Sequence, residues 1–195
     1  MKAILKLTAI AGLLLTSTVA MANDPGMYLT PLKKAKSFIL KLDNQTASST
    51  LTMTDMEDHQ IFVESIKGKG EYSKKFDLSK LEEGRYFVKM ESSFKVVEYT
   101  LEVTEFDVEV VSSEETIKPY FRQDDGMLYV NYLNEKLSPI VIKVVDGQNR
   151  VIFNQELGNS FVVGKAFNFK KALKDSYTVT ISEGSNTYVK TFSVN

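Results

Sequence analysis

The sequence predicts an all-β protein built as two tandem antiparallel β-sandwich units, and three observations carry that prediction. Apolar residues recur at alternate positions in short runs, the mark of strands with one buried face. Polar turns of Asp, Gly, Asn and Ser fall between the runs, about 8–12 residues apart as sandwiches require. The chain also resembles itself at an offset of 91 residues. No segment holds a long helical period.

The first element is an export leader. Lys2 and Lys6 supply a positive start, an apolar run spans Leu7 to Leu15, and Ala20-Met21-Ala22 is a small-x-small cleavage site. The run falls short of the roughly 20 apolar residues of a membrane-spanning helix, and no later segment approaches that length. Residues 1–22 are therefore read as a signal peptide and the mature chain as starting at Asn23, with no transmembrane segment. The expected location is secreted, periplasmic or in the cell envelope.

The first unit is assigned to residues 23–104. In Tyr86-Phe87-Val88-Lys89-Met90, residues 86, 88 and 90 share a face. In Val97-Glu98-Tyr99-Thr100-Leu101-Glu102-Val103 the alternation is strict, apolar inward and Glu-Thr-Glu outward. Such one-sided strands belong to antiparallel sheets with one wet face. Gly68-Lys69-Gly70 supplies a turn.

The second unit is assigned to residues 105–195. Leu51 to Asp55 falls on Ile142 to Asp146, Ile61-Phe62 on Ile152-Phe153, Phe76 on Phe167, Tyr86 to Val88 on Tyr177 to Val179, and Leu101 to Val103 on Phe192 to Val194. Leu42 falls on Leu133 in the same gapless alignment. Because the matches are mostly apolar and at strand-like spacing, we read duplication of one domain near the lower end of usual domain sizes. Asp146-Gly147-Gln148-Asn149 and Gly184-Ser185-Asn186 are turns. The alternating run Phe106, Val108, Val110 is placed as the opening strand of the second unit, which sets the boundary near Thr104; the alternative is that it closes the first.

Composition narrows the function. The chain carries 24 basic and 25 acidic side chains; without Lys2 and Lys6 the mature chain has a formal charge of −3. That balance argues against nucleic acid or an anionic membrane as partner. With no cysteine, packing alone holds the fold, lipid attachment through a thiol is excluded, and a bacterial source is indicated. A content of 43% hydrophobic and 11% aromatic residues is enough for ordinary cores.

No catalytic constellation emerges. The single histidine, His59, sits in the acidic turn Asp55-Met56-Glu57-Asp58-His59 and lacks the partners that zinc sites or Ser-His-Asp hydrolysis need. The pairs Glu82-Glu83, Glu114-Glu115 and Asp124-Asp125 are read as solvated, not as the facing acids of a glycosidase. Calcium would need six or more oxygens; Asp55, Glu57 and Asp58, or Asp124-Asp125-Gly126, offer only some of them, without an EF-hand loop. Gly68-x-Gly70 is followed by no helix and is not a phosphate loop. Tyr120, Phe121, Tyr129 and Tyr132 are read mainly as core, with sugar stacking as the other reading. The expectation is no catalytic, cofactor or metal residue, no cofactor, and a protein or cell-surface component as partner.

One motif carries a resemblance. Phe76-Asp77-Leu78-Ser79-Lys80-Leu81-Glu82-Glu83-Gly84-Arg85-Tyr86-Phe87-Val88, with a weaker copy from Phe167 to Val179, resembles the C-terminal sorting domains of type IX secretion cargo and related secreted immunoglobulin-like sandwiches. Gly84 suits a turn with positive φ; Asp175 stands at its place in the second copy, a residue that tolerates such turns. The resemblance implies immunoglobulin- or fibronectin-like sandwiches, export and a non-enzymatic role. The Pro-Asn-Pro opening common in sorting domains is absent, as is their frequent basic finish.

Overall fold

The computed structural model describes residues 26–43, 48–68 and 70–194. The expected leader, residues 1–22, and its cleavage site lie outside the described residues. All regular structure among those described is β, in four antiparallel sheets that fall into two compact units, one ending at Thr116 and the other starting at Ile117.

The first unit holds eight strands: β1 (Met27–Pro31), β2 (Ser37–Leu42), β3 (Ser49–Asp55), β4 (Gln60–Ile66), β5 (Tyr72–Asp77), β6 (Gly84–Glu91), β7 (Lys95–Val103) and β8 (Val108–Ile117). They form a three-stranded sheet, β1-β2-β5, and a five-stranded sheet, β4-β3-β6-β7-β8. Inward positions alternate as the sequence dictates: Tyr86, Val88 and Met90 on β6 and Val97, Leu101 and Val103 on β7 are buried. They pack with Phe38, Leu40, Leu42, Leu51 and Met53 into one core. Phe76 anchors it, stacked on Phe38 at 4.8 Å and met edge-on by Phe62 at 5.1 Å.

The second unit holds seven: β9 (Tyr120–Asp124), β10 (Met127–Leu133), β11 (Ile140–Val145), β12 (Val151–Gly158), β13 (Val162–Asn168), β14 (Asp175–Glu183) and β15 (Asn186–Val194). Its sheets are β9-β10-β13 and β12-β11-β14-β15. Leu128, Val130, Ile142, Val144, Val179 and Ile181 are fully buried among Phe167, Phe169 and Phe192. In both units three strands face four or more across a shared core, and the chain crosses between sheets from β2 to β3, β4 to β5 and β5 to β6, and again from β10 to β11, β12 to β13 and β13 to β14. That is the immunoglobulin-like sandwich, so the predicted all-β, antiparallel sandwich class is borne out.

Three sequence expectations are corrected. The run after Val103 is not the first strand of the second unit. Thr104 and Asp107 close a tight turn, the Thr104 amide donating to the Asp107 carbonyl at 2.9 Å and the Asp107 amide to the Thr104 hydroxyl at 3.1 Å. This turn sends β8 back alongside β7, where Val108 enters the first core and Phe106 is left at the exposed apex. The 91-residue offset holds from β3 onward, including the bulge after Met53 that recurs after Val144, but not before β3. On β2 the partner of Phe76 is Phe38; on β10 the partner of Phe167 is Leu128, so the offset there is 90 and Leu42 corresponds to buried Tyr132, not to Leu133. Finally, Gly84 has φ +145°, whereas Asp175 is not among the residues with positive φ. Its carboxylate instead accepts from the Gly147 amide at 3.3 Å.

Candidate functional site

The motif from Phe76 to Val88 forms the crossing from one sheet to the other, and its side chains hold the corner. The Asp77 carboxylate accepts from the Ser79 amide at 3.0 Å, and this bond holds its pKa below the usual value. The Leu78 amide donates to the Lys36 carbonyl at 2.7 Å, and the Lys36 ammonium to the Leu81 carbonyl at 2.8 Å. Tyr86, buried at the start of β6, turns its hydroxyl back to the Glu82 carbonyl at 3.0 Å. A tyrosine at the start of the sixth strand bonded to backbone a few residues upstream is the tyrosine corner of immunoglobulin-like folds. Burial raises the pKa of its hydroxyl. The weaker copy makes the same bonds: Asn168 accepts from the Lys170 amide at 3.0 Å, and Tyr177 donates to the Leu173 carbonyl at 3.0 Å.

The acidic turn around His59 is a hairpin lock. The Asp55 carboxylate accepts from the amides of Glu57 and His59, both at 2.9 Å, and meets the His59 ring at 3.0 Å. Burial pushes the Asp55 pKa up, but these hydrogen bonds outweigh it and hold the pKa below the usual value. The other acidic turn is matched by bases: Asp125 pairs with Lys170, and Asp124 with Arg122 at 3.2 Å. Among the described residues no three metal-ligating side chains converge. The aromatics grouped in sequence divide between the two faces of the paired strands β9 and β10: Tyr132 is buried and Phe121 packs on the core, whereas Tyr120 is exposed and Tyr129 lies under the Arg122 guanidinium at 4.4 Å.

Sequence reasoning missed two polar sites, both at the β6–β7 or β14–β15 end of a sandwich. In the first unit Lys95 takes an inward strand position, with its side chain only 3% exposed, and its ammonium meets Glu115 on β8 at 2.8 Å. A turn at Ser92, whose hydroxyl accepts from the Lys95 amide at 3.1 Å, sets its place. The pair lies in a cleft of about 380 Å³ lined by Tyr28, Tyr99, Ser113 and Glu114. In the second unit the buried carboxylate of Glu183 sits by Tyr132 and Asn186, the latter at 3.4 Å. Burial, then Glu183, pushes the Tyr132 hydroxyl well above its ordinary pKa. The signal for Lys95 was its parity: it stands two residues before Val97 on the face that Tyr99, Leu101 and Val103 share. Glu183 carried the same signal, two residues after Ile181 on the face that Tyr177 and Val179 share.

The corner lies within a sandwich of two sheets, β1-β2-β5 and β4-β3-β6-β7-β8. Residues 27–103 match the family model of the secretion system C-terminal sorting domain. The resemblance read from Phe76 to Val88 is thereby borne out. The sorting-domain match covers β1 through the last residue of β7 and stops before β8. A sorting domain of this kind implies a secreted or cell-surface protein.

No curated protein matches the chain. Among solved structures, a biofilm-associated protein BSP domain is 17% identical over 88% of this chain, with a TM-score of 0.28. The FN1–FN3 domains of chicken CNTN1 are 10% identical over 89% of this chain, also at 0.28. A two-domain fibronectin type-III segment of chicken tenascin is 9% identical over 88% of this chain and 100% of its own, at 0.27. The chain spans 29% and 64% of the lengths of the first two. Among the described residues no helix is long and apolar enough to cross a membrane.

Proposed function

We propose that this is a non-enzymatic exported protein of the cell envelope or extracellular space, handled by a type IX secretion route. In this reading it has two tandem sandwiches descended from one domain. The first unit is the element that the route recognises, and the sandwich edges and end loops bind a protein or cell-surface component. The observation that carries the reading is the sorting-domain match on a sandwich whose core and tyrosine corner are complete. Duplication is supported by hydrogen bonds that recur 91 residues apart, at Asp55 and Asp146, Asp77 and Asn168, Tyr86 and Tyr177. A non-enzymatic role is supported by the way the acidic pairs are engaged: Asp124, Asp125 and Glu115 each meet a base. The test fuses residues 26–117 to the C-terminus of an inert exported reporter in a host that has the secretion system. Delivery of the reporter to the surface or medium is the expected result; retention in the periplasm overturns the sorting role.

A further inference from the structure

We propose that β8 is a docking edge for an extended, basic segment of another protein, which adds to the five-stranded sheet as a further strand. The strand is the last in its sheet and is ten residues long, so one side of its backbone faces no other strand among the described residues. Such an edge is a template for main-chain pairing, and partner strands bind in this way with side-chain pockets setting specificity. Edges that avoid pairing are kept short or carry lysine, proline or a bulge; β8 is long, has none of those residues, and leaves Val110 and Val111 37% and 54% exposed.

Charge chooses the occupant. Between Val96 and Ile117 the sequence has seven acids and no base, in a chain whose overall formal charge is only −1. Glu109, Glu114 and Glu115 lie on the strand itself, and Glu105 and Asp107 on the turn that leads into it. Arg85 meets Glu102 at 3.1 Å and Lys95 meets Glu115 at 2.8 Å. A second copy of β8 laid against the first would bring two strands of the same negative charge together, with no base on either. On β8 Glu109 and Val110 point to opposite faces, so a segment alternating lysine or arginine with apolar residues meets Glu109 with one set of side chains and Val110 with the other. β8 lies beyond residues 27–103, which match the sorting domain, so this surface is distinct from the matched part of the first unit.

The probe is a synthetic peptide alternating lysine and valine, titrated into the full mature chain at low salt. Backbone amide NMR and hydrogen exchange serve as the readout. Saturable binding with new protection on the amides of β8 is expected, falling about tenfold or more for Glu105→Lys/Glu109→Lys, whose fold is checked by circular dichroism. A glutamate–valine peptide should not bind, and neither should a lysine–valine peptide N-methylated at every backbone amide, which cannot donate to a ladder. Equal binding of the N-methylated peptide means charge attraction without strand addition and overturns the proposal. So does protection that appears on β4 instead of β8, concentration-dependent pairing of the chain with itself through β8, or no binding at all.

Discussion

Asp55 and Asp146 hold the same turn, 91 residues apart. Each carboxylate accepts from the amides two and four residues on, at 2.9 and 2.9 Å in the first unit and 3.0 and 2.9 Å in the second. Each is followed three residues later by a residue with positive φ, Asp58 at 61° and Asn149 at 59°. The residue four positions on is a histidine in one turn and an arginine in the other, and both side chains return to the carboxylate, His59 at 3.0 Å and Arg150 at 2.6 Å.

Acid should therefore weaken both units over one window. For Asp146, as for Asp55, burial raises the pKa but the hydrogen bonds and Arg150 outweigh it, and both groups end below the ordinary 3.8. A depressed folded pKa means the stabilisation is full above the unfolded value and is lost as pH falls through the folded one. Thermal melts should be flat down to about pH 4 and then drop. Asp55→Asn/Asp146→Asn keeps an acceptor but removes the charge, so its melting temperature should start lower and depend less on pH below that point.

The two tyrosine corners should behave alike. Tyr86→Phe and Tyr177→Phe each lose one hydroxyl–carbonyl bond, and a cost of about 1 kcal/mol is expected in urea unfolding. Tyr86→Ala and Tyr177→Ala also empty a core position, with an expected cost of about 3–5 kcal/mol. Hydrogen exchange should place each loss in its own unit. Near-neutral alanine variants at both sites would contradict the packing seen here.

Lys95 makes the first sandwich depend on β8. Glu115→Ala removes a carboxylate from a nearly closed ammonium and should cost about 1–3 kcal/mol, less than breaking a fully buried pair because Glu115 is half exposed. Lys95→Met should fall within about 1 kcal/mol of the parent, since replacing a buried ion pair by packing is often neutral or better. The double variant should match Lys95→Met. A fragment ending at Val103, where the family match ends, should accordingly be less stable than one ending at Ile117, and Lys95→Met should narrow that gap.

Processing gives a direct readout of export. Intact mass of the protein recovered from the envelope or medium should correspond to a chain beginning at Asn23, following the Ala20-Met21-Ala22 pattern. A full-length species confined to the cytoplasm would contradict the leader.

The strands from β3 onward were legible because alternation and turn residues agree there: Val88 and Met90 read as inward and are inward, and Asp146-Gly147 reads as a turn and is one. The placement of β8 was not, because period-two alternation says that a strand exists but not which sheet it joins; the side chain and backbone of Thr104, not the pattern of β8, decide that. The tyrosine corners appeared in sequence only as buried residues after a turn, since a hydroxyl bonded to backbone four residues earlier leaves no composition signal. Lys95 was masked by the habit of assigning lysine to solvent, although its parity placed it inside.

The slip between the offset of 90 at β2 and 91 at β3 limits how the units can be recombined. A graft of residues 48–103 onto positions 139–194 preserves every pairing frame, because both boundaries lie within the 91-residue correspondence. A graft that runs back through β2 at the same offset carries Phe38, Leu40 and Leu42 to places where the second unit presents its outward residues, and the strand meets the core with its polar face. The loop between β2 and β3 is thus the crossover point at which a chimera of the two units keeps or loses its core.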